Sequence, residues 1–176
     1  MQTKHGLVVF DRERIGLRKP AGPTSHQDRI TRASIHHGGE VGPARMSFDK
    51  MQETWKQWQA FHINSRGWSD LGYNFGVDGK GRLYEGRSVH TVPAAVAGWN
   101  TGSVGIVFAQ DGTKYGLTKA QRATLKTLFE HGIEELDLPP LKRLEVRTHR
   151  ECPGHESNAC PGQKIQRHVA WRRGEY

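Results

Sequence analysis

Ser103-Val-Gly-Ile-Val-Phe-Ala109 is the stretch on which the fold turns. Its residues are almost all apolar or small, with none of the polar alternation of a strand that has one wet face. A strand buried on both faces reads this way. It needs neighbours on either side in a sheet, and helices above and below to keep water out.

Elements that can do this lie on both sides of it. Downstream, Thr118-x-x-Gln121 is a capping box that opens a helix with Leu125, Leu128, Phe129, Ile133 and Leu136 on its core face and Pro139-Pro140 as its stop. Leu144–His149 reads as a strand, and Pro161 suits the first turn of a last helix through Ala170. Upstream, Tyr73–Val77 and Arg82–Glu85 read as strands joined by the turn Asp78-Gly79-Lys80-Gly81. Ser47 is an N-cap for a helix whose apolar positions Phe48, Met51, Trp55, Trp58 and Phe61 recur at spacings of three and four, with an exit near Gly67. Ile30–His36 and Gly6–Phe10 are short strand candidates, and residues 16–30 are rich in turn formers and read as a loop. The alternation lacks a strict βαβ rhythm. It predicts an α/β chain, a single domain over 1–176, with a central mixed β-sheet flanked by about three α-helices.

The 176 residues suffice for one core, and 35% hydrophobic with 25% charged residues is the composition of a folded chain. No apolar run reaches 18 residues, so no membrane insertion is expected. The N-terminus has only four consecutive apolar residues before Asp11, too few for a signal peptide. The net charge of +8 implies a polyanionic partner. Nucleic acid, a membrane surface and an anionic cell wall all satisfy it. The basic residues are dispersed and accompany no nucleic-acid-binding motif, so no specific nucleic acid is expected.

Three metal-binding side chains fall at element ends. His36 closes one strand candidate, His149 closes another, and Cys160 stands just before the Pro161 helix. Two imidazoles and a thiolate form a zinc set that leaves a fourth position for water, which suits amide hydrolysis. Spacing alone does not select them, because ten histidines make many accidental triples. Cys152, three residues after His149, and His155 are rival ligands. A Cys152–Cys160 disulfide would close only a small loop and stabilise little.

Longer words add to this. Phe61-His-Ile-Asn-Ser-Arg-Gly-Trp-Ser-Asp-Leu-Gly-Tyr-Asn-Phe75, Val77-Asp-Gly-Lys-Gly-Arg-Leu-Tyr-Glu-Gly-Arg87 and Ala97-Gly-Trp-Asn-Thr-Gly-Ser-Val-Gly-Ile106 resemble the signatures of peptidoglycan recognition proteins and phage-type N-acetylmuramoyl-L-alanine amidases. So do Ile35-His36-His37, His149-Arg150 and Cys160-Pro161-Gly162, in the same order. The resemblance covers roughly residues 8–165. It implies the amidase type 2 fold, a zinc ion held by His36, His149 and Cys160, and a catalytic hydroxyl on Tyr73. Asn158 stands where phage members often carry a lysine and animal members a threonine, which implies a secondary catalytic role. Val107 stands where some bacterial members use a glutamate as base. Ser88-Val89 occupies the position of the stem-peptide selectivity pair and matches neither familiar preference, leaving the diamino acid open.

The resemblance therefore implies a hydrolase that cleaves the amide between N-acetylmuramic acid and L-alanine in peptidoglycan. A phage or prophage endolysin is expected: monomeric, made in the bacterial host cytoplasm, and aided by its charge in holding to anionic cell-wall polymers. The competing readings are a non-catalytic peptidoglycan-binding module of the same fold and a basic nucleic-acid-binding protein.

Overall fold

The computed structural model describes residues 1–38, 42 and 47–175. Among these residues six strands form one mixed sheet. They are β1 (Val9–Phe10), β2 (Arg32–Gly38), β3 (Phe75–Val77), β4 (Leu83–Glu85), β5 (Ser103–Ala109) and β6 (Glu145–Thr148). Their spatial order is β1-β4-β3-β5-β2-β6. Only β3 and β4 run antiparallel; the other neighbours pair in parallel. As its composition implies, β5 is buried at every residue, with β2 on one side in the register Ile35↔Ile106 and β3 on the other.

Alternation along β5 divides the core. Val104, Ile106 and Phe108 pack with Leu125, Leu128 and Phe129 of α3 (Lys119–His131) and Ile165 and Val169 of α4 (Gln163–Arg172). Val107 and Ala109 face the opposite layer with Met51 and Trp55 of α2 (Phe48–Asn64) and Ile15 of α1 (Arg12–Ile15). No helix among the described residues is long and apolar enough to cross a membrane.

The helix signals mostly act as read. Ser47 accepts the Lys50 N–H at 3.1 Å. Thr118 and Gln121 make both bonds of the capping box, at 3.0 and 2.9 Å. Four points differ. The four-residue helix α1, capped by Asp11 and ended by Gly16, lies between the Gly6–Phe10 strand candidate and the expected loop, where no element was expected. Phe61 is 49% exposed, because it falls off the stripe formed by Met51, Trp55 and Gln59. α3 stops at Gly132, well before the two prolines: this residue has φ +68°, and a Cβ there would strike the Leu138 carbonyl. Gly162 holds the N-cap position of α4, so Pro161 precedes the helix.

Parallel pairing positions the functional residues. β2 and β6 run side by side with Ile35 opposite Thr148. The next residues along the chain are therefore His36, still on β2, and His149, which opens the turn after β6, both at the carboxyl end of the sheet, where open α/β sheets place ligands.

Candidate metal centre

His36 sits near the end of β2, 1% exposed, on the same face as Ser34 two residues earlier. Ser34 Oγ is 2.9 Å from His36 Nε2, which leaves Nδ1 facing the Cys160 sulfur at 3.8 Å. The His149 ring meets the His36 ring edge-on at 4.8 Å between centroids. One donor atom from each of His36, His149 and Cys160 lies within 4.8 Å of the others. Among the described residues no other histidine, cysteine, aspartate or glutamate joins such a cluster.

The protonation states suit a cation. Burial pushes the His36 pKa well below the ordinary imidazole value, and repulsion from His149 and His37 adds to the effect. Burial, then His155, lowers His149 to about 4. Both rings are therefore neutral near pH 7, as metal ligation requires. Cys160 is buried, which pushes its thiol up to about 12, although the His37 backbone N–H donates to Sγ at 3.2 Å and opposes the shift. A cation between the two imidazoles would displace that thiol proton. Two imidazole nitrogens and a sulfur are the donor set of zinc, so the residues present fit the ion.

Cys152 is not part of the cluster. It is fully buried against Val96 and Trp99, and its Sγ donates to the Thr148 carbonyl at 3.5 Å. His37 turns its side chain away, with Nδ1 accepting the Gly112 N–H at 2.7 Å.

Tyr73 is half-buried with its ring 5.3 Å from that of His36. Trp55, Trp58 and His62 complete an aromatic wall around it at 6.5, 6.2 and 6.0 Å. Burial, then the neighbouring Cys160 charge, raises the phenol pKa above its ordinary value, so the hydroxyl keeps its proton. Its backbone is fixed by Gly86, where a Cβ would strike the Tyr73 carbonyl. Asn158 lies beside the centre. Its Oδ1 accepts the Cys160 N–H at 2.9 Å, and its Nδ2 is 3.5 Å from His149 Nε2. Only the amide NH₂ of Asn158 is left to meet a ligand. Val107 is wholly buried against the α2 layer.

Three residues lie outside the donor cluster. Trp99 is 6% exposed, beneath the guanidinium groups of Arg32 and Arg147 at 5.4 and 6.0 Å. His62 accepts the Gly72 N–H through Nδ1 at 3.1 Å. Of the Ser88-Val89 pair only Ser88 is exposed. The reading of sequence overlooked Ser34, although its two-residue spacing from His36 on a strand puts both on one face.

The N-acetylmuramoyl-L-alanine amidase family profile matches residues 26–163. Peptidoglycan-recognition protein SC2 of Drosophila melanogaster is 30% identical over 166 residues, 93% of this chain and 85% of that protein. The solved structure of Drosophila peptidoglycan recognition protein LB superposes with a TM-score of 0.80 at 27% identity, covering 94% of each chain. That of protein LE, also found in D. melanogaster, in complex with tracheal cytotoxin (monomeric diaminopimelic acid-type peptidoglycan), has a TM-score of 0.80 at 25% identity over 93% of each chain. These relatives correct one expectation: they are animal proteins, so synthesis in a bacterial host cytoplasm is withdrawn as the setting of this chain. The sheet order, the converging donors and these matches together place the chain in the type 2 N-acetylmuramoyl-L-alanine amidase and peptidoglycan recognition protein family.

Proposed function

We propose that this chain is a zinc-dependent amidase that hydrolyses the bond between the muramic acid lactyl carbonyl and the L-alanine nitrogen of peptidoglycan. The observation that carries the proposal is the convergence of His36, His149 and Cys160 within 4.8 Å, with both imidazoles held neutral and the thiol beside them. A module that only binds its ligand has no need of a complete, buried donor set. Peptidoglycan as substrate is supported by the fly relative seen with a muropeptide bound.

His36, His149 and Cys160 would hold the ion. Bound there, zinc supplies Lewis-acid polarisation of the amide carbonyl and an activated water. The chain's own groups do the rest. Ser34 orients His36 through its Nε2, and the His37 N–H steadies the Cys160 sulfur as a thiolate. Tyr73, kept protonated by burial, donates a hydrogen bond to the oxygen that gains negative charge as water adds to the carbonyl. The carbon–nitrogen bond then breaks, and the L-alanine nitrogen leaves with a proton given up by the added water. The NH₂ of Asn158, beside His149, is a second donor.

The test is digestion of purified wall sacculi with and without a chelator. New L-alanine amino groups without new reducing sugar ends, abolished by chelation and restored by zinc, are the expected result. Muropeptide binding with no amine release would make the chain a binding module, and new reducing ends would make it a glycosidase.

A further inference from the structure

We propose that His155 is a positioning residue that locks His149 into one tautomer and one ring orientation for the metal. The inference rests on the metal-centre reading above and goes beyond its three ligands. His155 bridges two partners: its Nε2 is 3.1 Å from the Ala97 carbonyl oxygen and its Nδ1 is 3.2 Å from His149 Nε2. A carbonyl only accepts, so His155 Nε2 carries the proton. Of the two ring nitrogens Nδ1 is then the acceptor, and His149 Nε2 the donor to it. The lone pair of His149 is thereby confined to Nδ1. Asn158 Nδ2, 3.5 Å from the same His149 nitrogen, would donate only to a lone pair there, but it is the longer of the two contacts, and the 3.2 Å approach of His155 sets the tautomer.

His155 is not itself a fourth ligand, since both of its nitrogens are engaged and it stands outside the converging cluster. It is held as a fixed strut. Its own N–H donates to the Cys152 carbonyl at 3.0 Å. The Ala97 segment is pinned by Asn100, whose Oδ1 accepts the N–H groups of Ala95 and Val96 at 2.9 and 2.8 Å. Cys152, Val96 and Trp99 pack together beneath both segments. Cys152 thereby packs beneath the turn that carries His155 without joining the donors. Histidine ligands in metal sites are commonly oriented by an acceptor on their outer nitrogen, and losing it costs about 10–100-fold in metal affinity.

The experiment measures zinc affinity, by competition with a chromophoric chelator, for the wild-type chain, His155→Ala and His155→Gln. Cobalt(II) absorption spectra of the same proteins report the ligand field. Glutamine offers one acceptor and one donor, as the ring does here. His155→Ala should bind zinc about 10–100-fold more weakly with an altered cobalt band, and His155→Gln should restore affinity to within a few-fold of wild type. Wild-type affinity in His155→Ala overturns the inference. So does a His155→Gln protein, folded by its thermal midpoint, that has lost zinc, because the ring would then be a ligand. Should the alanine variant not fold, the glutamine variant alone decides. A wild-type chain that binds no zinc sinks the metal centre itself, an outcome distinct from either of these.

Discussion

Arg173 closes a two-pronged fork on Glu151, with Nη1 2.9 Å from Oε2 and Nη2 2.8 Å from Oε1. The same carboxylate accepts the Thr148 N–H and hydroxyl at 2.7 and 2.8 Å, and Arg173 also donates to the Val146 carbonyl. The turn that begins at His149 is thus fastened to the end of α4, the helix that follows Cys160. Two of the three converging donors are referenced to one ion pair.

That pair predicts an acid-sensitive stability. Burial pushes the Glu151 pKa up, but the bonds from Arg173 and Thr148 outweigh it and hold the carboxyl at about 2. Its folded value therefore lies below the unfolded value of about 4.3. The stabilisation is fully present above pH ~4.3 and lost as pH falls through about 2. Glu151→Gln should cost on the order of 2 kcal/mol near neutrality, allowing for partial exposure of the pair, and should flatten the stability profile between pH ~5 and ~2. Urea unfolding of both proteins across that range checks it; parallel acid limbs would show that the fork contributes nothing.

The two cysteines should separate cleanly. Cys160→Ala should abolish stoichiometric zinc binding, as should His36→Ala and His149→Ala. Cys152→Ala should keep the metal and lose about 1–2 kcal/mol, because it removes only a buried sulfur packed on Val96 and Trp99. Metal analysis and denaturation of the variants measure both effects. Zinc retained in Cys160→Ala and lost in Cys152→Ala would reverse the assignment.

Asp78 is fully buried and accepts from the backbone N–H groups of Lys80 and Arg82, from Arg82 Nε at 2.6 Å and from the Tyr84 hydroxyl at 3.1 Å. It ties the β3–β4 turn together. Asp78→Ala should cost about 1–3 kcal/mol, since the Lys80 and Arg82 N–H groups and the Tyr84 hydroxyl lose their buried acceptor. Zinc affinity of the folded fraction should not change, and a large drop in that affinity would contradict a purely structural role.

What could be read from the sequence followed from local chemistry. β5 announced itself because both of its faces are buried, and Ser47 and Thr118 because N-caps act over three residues. His36, His149 and Cys160 were legible as words at element ends. The β2–β6 register that brings the first two together was not, since parallel pairing across more than a hundred residues leaves no local mark. The same holds for His155. Its partner Ala97 is 58 residues away, and in sequence the histidine looked only like a rival ligand. The end of α3 was misplaced because two prolines are a louder stop signal than Gly132, whose role depends on where the Leu138 carbonyl comes to rest.

Tyr73 allows the chemistry to be tested apart from the fold. Its ring packs on His36, Trp55, Trp58 and His62, and phenylalanine keeps that packing. Tyr73→Phe should therefore leave the thermal midpoint and zinc content nearly unchanged. The hydroxyl stays protonated and has no hydrogen-bond partner among the described residues, so it is free to donate to charge that appears on the substrate carbonyl. Losing one such donor typically costs about 10²–10³-fold in turnover. Binding of a muropeptide should change little, because the bond strengthens only as the carbonyl oxygen becomes an anion. Single-turnover amine release, measured beside muropeptide affinity, separates the two effects. A variant that hydrolyses at the wild-type rate would leave Tyr73 with a packing role only and make the Asn158 amide the remaining donor at the centre. A variant that loses binding and turnover together would mean that the hydroxyl holds the ground-state substrate instead.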